Sequence, residues 1–157
     1  MAPRDQVDKY LEWVLIVLMG LLVIDVLWQV GSRYLLASPS WFADELAGFL
    51  LMWVGLLGAA YVTGKSEHLA IDLLLQRAEQ KQKQRLKILI NLLIAMFALV
   101  VMVAGGSWLV YTRFYLQVTS AALQVPLGYI YLVLPLSGIL MLYYSTDNIL
   151  RFLKNKP

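Results

Sequence analysis

The sequence predicts an all-α integral membrane protein, with four transmembrane helices in a single membrane domain over residues 1–157 and an amphipathic interfacial arm helix between the second and third. Three observations predict it. Hydrophobic residues make up 61% of the chain and charged ones 15%, where soluble domains carry roughly 45–50% and 25%. The apolar residues are gathered into runs: Leu46 to Thr63, Ile88 to Thr112 and Leu127 to Thr146 contain no charge, and Trp13 to Val30 is broken only by Asp25 and Gln29. A helix of about 20 such residues crosses about 30 Å of hydrocarbon. Finally, four spans place eleven of the thirteen basic residues on one side, all but Arg33 and Arg113. The positive-inside bias then puts both termini in the cytoplasm. The net charge of +3 is thus a topology signal and not a nucleic-acid patch.

The first span is expected over about residues 11–36, after a polar lead whose Tyr10 and Trp13 suit an interfacial aromatic anchor. No small-residue cleavage site follows its apolar run, so it reads as a retained helix rather than a signal peptide. Asp25, Gln29 and Arg33 recur every four residues and share a helix face, which places Asp25 near mid-depth and Arg33 near the outer surface. An ionisable group in the bilayer is a functional candidate, here a proton relay. The structural alternative is a polar stripe that hydrogen-bonds to other helices.

The second span is expected over about 41–63. Pro39 ends the first helix and Ser40 suits an N-cap for the second, while Asp44 and Glu45 sit in its first turn at the positive end of the helix dipole. Arg33 across the turn is a candidate partner for these carboxylates, and their outward position also makes them candidates for docking a soluble protein. Gly48, Gly55 and Ala59 fall on nearly one face, with Gly55-x-x-x-Ala59 permitting close backbone approach, within this chain or against another.

The connection from Gly64 to Lys87 holds the arm, expected over about 67–80. At about 100° per residue, His68, Asp72, Gln76 and Glu79 line one stripe, and Leu69, Ile71 and Leu73 to Leu75 fill most of the rest. Such a helix lies on a phospholipid surface or in a partner groove. Its polar seam and the elbow before it use Lys65, Glu67, His68 and Asp72. The third span is expected over about 88–112 and the fourth over about 127–150, opened by Pro126 and bent by Pro135.

Several chemistries are excluded. The chain has no cysteine and one histidine, which rules out disulfides, thiolate sites and bis-imidazole haem ligation. His68 with Glu67 and Asp72 falls short of a metal shell of four or more ligands, since Glu67 lies about 100° around the helix. Phosphate loops and nucleophile elbows are missing. No catalytic residue, cofactor or metal is expected. Two classes remain: a self-contained four-helix proton-coupled exporter using Asp25, and a non-catalytic membrane subunit holding a larger partner. The long amphipathic connection and the outer acidic turn favour the subunit.

The stretch "SWFADELAGFLLMWVGLLGAAYVTGKSEHLAIDLL", residues 40–74, resembles the small membrane subunit (DctQ-like) of tripartite ATP-independent periplasmic, or TRAP, transporters. Trp41, the acidic pair Asp44 and Glu45, Gly58-Ala59-Ala60, Lys65, Glu67-His68 and Ile71-Asp72-Leu73 carry the likeness. Thr119, Pro126, Pro135, Gly138 and Arg33-Tyr34 extend it over nearly the whole chain. Asp44 stands where Glu is common, and Gln124 and Ser137 where the pattern expects glycine and a small apolar residue. The resemblance implies a bacterial inner-membrane complex taking up an organic acid, such as a C4-dicarboxylate or sialic acid. In it a large subunit works with sodium as an elevator, and a periplasmic substrate-binding protein delivers the acid. It implies that the small subunit braces the large one, helps the binding protein to land, and carries neither substrate nor ion site.

Overall fold

The computed structural model describes residues 3–35, 40–65 and 80–154. These fold into α1 (Pro3–Leu35), α2 (Ala43–Lys65), α3 (Gln80–Phe97), a π-helical segment (Ala98–Gly105), α4 (Gly106–Tyr115), α5 (Leu127–Tyr131) and α6 (Val133–Lys154). No strand occurs among the described residues; a single antiparallel bridge joins Thr119 and Pro126. Among the described residues, four helical stretches are long and apolar enough to cross a membrane: Arg4–Tyr34, Ala43–Lys65, Arg85–Tyr115 and Leu127–Lys154. The predicted arm over 67–80, with Glu67, His68 and Asp72, lies outside the described residues, apart from Gln80 at the start of α3.

Two helix starts differ from the sequence expectation. The polar lead is itself helical, because Pro3 at a first helical position loses nothing by lacking an N–H. The second helix begins at Ala43, so Ser40 is not its cap: the Phe42 carbonyl receives the Leu46 amide at 3.0 Å, and Ser40 is engaged with Ser32.

Burial is inverted relative to a water-soluble protein. Large apolar side chains such as Ile24, Leu27, Leu92 and Val100 are exposed, whereas the buried positions include Ala43, Ala60, Ala98, Ser32, Thr63 and Ser137. In water that distribution would forfeit the main driving force for folding; in lipid, small and hydrogen-bonded residues are what let helices meet.

The chain divides into two compact units, one of residues 1–58 with 108–133 and one of 59–107 with 134–157. The second is held by a buried polar knot. Asn148 Nδ2 on α6 donates to the Thr63 carbonyl at 3.1 Å and to Asn91 Oδ1 at 3.3 Å, while Asn91 Nδ2 donates to the Lys87 carbonyl at 2.9 Å. Three spans are thereby tied where water cannot compete. Three glycines admit close approach in the same unit, one of them Gly64, where a Cβ would lie 2.8 Å from Tyr144 Cε1. A Cβ on Gly106 would lie 2.9 Å from Leu134 Cβ, and one on Gly138 would lie 2.8 Å from Met102 Cβ. The latter contact falls on the π-helical segment, whose Val103 backbone nitrogen comes within 3.2 Å of the same point.

The fourth span is interrupted between α5 and α6 because Pro135 has no N–H to offer the Tyr131 carbonyl one turn back. Beside the break, Trp53 Nε1 donates to the Ile130 carbonyl at 3.0 Å. This anchors α5 to α2 at a point where helical hydrogen bonding has lapsed.

Candidate interaction surface

Of the site residues named from sequence, Gln29 and Arg33 at the end of α1 and Trp41, Asp44 and Glu45 at the start of α2 lie in the first unit. Gln29 Nε2 donates to Asp44 Oδ1, which joins the two helices beside their connection. One turn on, the Ser32 hydroxyl donates to the Gln29 carbonyl at 3.0 Å, lies 3.3 Å from the Ser40 hydroxyl and accepts the Ser40 amide at 3.4 Å. Arg33 is exposed, and among the described residues no ion pair joins it to either carboxylate. Neutral donors have taken that role.

Glu45 does something its helix position does not announce. Its carboxylate accepts the amides of Ala121 at 3.0 Å, Ala122 at 2.8 Å and Leu123 at 2.8 Å. These three belong to the connection between α4 and α5, so one carboxylate on α2 holds the tip of a loop 76 to 78 residues away.

The loop is built to present those amides. It opens with a Schellman closure, Val118 N–H to the Arg113 carbonyl and Gln117 N–H to the Phe114 carbonyl, both 3.2 Å. Gln117 occupies the left-handed position at φ 48. Paired amide bonds from Ser120 to Val125 and from Leu127 to Val118, each 2.9 Å, then close it like a short hairpin. Gln124 sits at φ 57, which explains why a glycine is expected there: a side chain is disfavoured in that region. The loop returns against α4, where a Cβ on Gly128 would lie 2.6 Å from the Phe114 ring.

The remaining residues divide into engaged and open. Trp41 is 71% exposed and meets Phe42 edge-on. Gly48, Gly55 and Ala59 are all exposed, and a Cβ on Gly48 or Gly55 would meet nothing within 4 Å. That face is therefore not a packing face within the described chain. Lys65 places its ammonium 5.2 Å from the centre of the Tyr61 ring.

Asp25 is buried, 6% exposed, and its Oδ2 has no hydrogen-bond partner. It lines an apolar cleft of about 310 Å³ between Leu21 and Trp28 on α1 and Phe42, Leu46 and Leu50 on α2. Asp25 lies one turn, about 6 Å, from Gln29 along α1.

The description "Tripartite ATP-independent periplasmic transporters, DctQ component" matches residues 11–155, nearly all of the four spans. The chain belongs to the DctQ family. DctQ proteins are membrane subunits of transporters and not enzymes, and this one is a multi-pass membrane protein. It is 27% identical over 153 residues to the sialic acid TRAP transporter small permease protein SiaQ of Vibrio cholerae, covering 96% of this chain and 86% of that one. It is 30% identical over 103 residues to the C4-dicarboxylate TRAP transporter small permease protein DctQ of Rhodobacter capsulatus, covering 65% and 44%. A third likeness, 30% over 92 residues, is to the sialic acid TRAP transporter permease protein SiaT of Haemophilus influenzae, of which it covers 14%. DctQ membership gives no support to the self-contained exporter.

Proposed function

We propose that this DctQ-family chain is the non-catalytic small membrane subunit of a sodium-driven TRAP transporter for an organic acid. It lies in the bacterial inner membrane with both termini cytoplasmic, braces the scaffold of the large elevator subunit, and helps dock the periplasmic substrate-binding protein. Supporting this reading are four polar side chains engaged within the chain itself. Asp44, Glu45, Asn91 and Asn148 all hold side chains or backbone of their own chain. A frame needs such internal ties; a carrier needs those groups free for cargo.

The SiaT relative supports the large partner. A match covering 14% of that permease means that a segment of this kind shares one polypeptide with a much longer permease. For this chain, the open Gly48, Gly55 and Ala59 face or the Asp25, Gln29 and Arg33 stripe meets the large subunit. Arg33, Trp41, Asp44, Glu45 and the loop that Glu45 pins stand nearest the binding protein. The elbow of Lys65, Glu67, His68 and Asp72 sets an arm on the phospholipid surface. Because the acidic pair is already engaged, the binding protein meets the loop rather than free carboxylates.

The substrate is a small carboxylate of the kind the relatives' names give, sialic acid or a C4-dicarboxylate, recognised by the other two components. The test is co-purification of the tagged chain with its cognate permease, followed by sodium-driven uptake in proteoliposomes with the binding protein. A stable complex that loses uptake when this chain is omitted is the expected result. If Asp25→Asn abolished uptake while assembly and binding-protein docking stayed intact, bracing alone would be refuted.

A further inference from the structure

The Asp25 cleft is the one place in the first unit where a buried carboxylate oxygen lies beside an apolar groove with nothing to bond to. A group in that state carries the full penalty of lost hydration. Asp44, a second acid, acts electrostatically on Asp25 and cannot serve as its donor. The only donor that reaches either carboxylate, among the described residues, is the Gln29 amide on Asp44. Two acids share one neutral donor, and a buried oxygen of Asp25 is left without a partner. Leu21, Leu46 and Leu50 around it offer a surface for an apolar helix rather than for water. The deficit is of a polar partner, and lipid tails cannot supply it.

We propose that this cleft receives a membrane helix of the large permease subunit, which brings a lysine or arginine side chain to Asp25 and Asp44. The apolar walls seat the helix and its cation supplies the missing donor. A long cationic side chain suits the position because its apolar stem can lie along the groove while its head reaches the two acids. The contact rests on the partner reading above and sharpens it, since it names which of the two candidate faces bears the permease and the chemistry of the meeting.

The chain contains no cysteine, so a single introduced one can be labelled without background. With a benzophenone-maleimide at Leu50→Cys and Asp25 left intact, irradiation of the reconstituted complex should join this chain to the permease; the same label at Val100→Cys serves as the control. In parallel, Asp25→Leu and Asp25→Lys should lower permease retention about tenfold or more, the usual result of breaking a buried charge pair, whereas Asp25→Glu should retain most of it. Permease adducts at Leu50 together with that charge dependence support the proposal. A complex that survives Asp25→Lys, or adducts at Leu50 confined to lipid, overturns it and leaves the partner reading standing. Failure of the unsubstituted chain to hold the permease would overturn both.

Discussion

The Glu45 carboxylate accepts the Ala122 amide at 2.8 Å, so the first turn of α2 fixes the shape of the connection between α4 and α5. Replacing Glu45 with Gln keeps the size but turns half of the acceptor group into a donor facing amide N–H groups. Amide exchange at Ala121, Ala122 and Leu123 should then speed by about tenfold or more, as for a locally opened segment, while exchange around Asn91 and Asn148 stays unchanged. Hydrogen exchange in nanodiscs measures both at once. Glu45→Asp, shorter by one methylene, should fall between.

Among the described residues, Gln124 and Gln117 are the two other than glycine at positive φ. Gln124→Gly relieves the left-handed strain but loosens the unfolded chain, so the net gain should be about 0.5–1 kcal/mol. Gln124→Val, branched at Cβ, should cost about 1–2 kcal/mol at the same position. Thermal unfolding in detergent distinguishes the two signs.

Glycines on different faces should behave oppositely. Gly138→Val drives side-chain atoms into Met102 and Val103, which should destabilise the isolated chain by about 1–3 kcal/mol through overpacking. Gly55→Leu meets open space and should leave its stability within about 0.5 kcal/mol. If the Gly55 face also lies against the permease, that second variant alone would dissociate the complex on co-purification.

Asn148 ties Thr63 and Asn91 in the second unit. Asn148→Leu removes both interhelical bonds and should cost about 0.6–2 kcal/mol, the range of side-chain hydrogen bonds in membranes. Asn148→Asp keeps the size but loses the donor, and should cost at least as much. Unfolding in mixed micelles reads the difference.

Much of the architecture is local and therefore legible without coordinates. The number of spans follows from the transfer free energy of consecutive side chains, and Pro135 must disturb its helix wherever that helix packs. The acidic pair and the Glu-His and Asp-Leu signatures were enough to reach the DctQ family. The site was less legible. Local spacing made Asp44 and Glu45 a dipole-capping pair facing Arg33, whereas Gln29 and a distant loop hold the carboxylates.

The sequence by itself determined that this protein is helical, that it has four stretches long and apolar enough to cross a membrane and that it belongs among the small TRAP subunits, because hydrophobicity and family motifs are written in consecutive residues. Only the tertiary structure decided which polar groups meet. Glu45 and Ala122 are 77 residues apart and Thr63 and Asn148 are 85. At those separations no periodicity selects a partner; what selects it is the packing of helices that bring a buried acceptor to the donor able to replace its lost water.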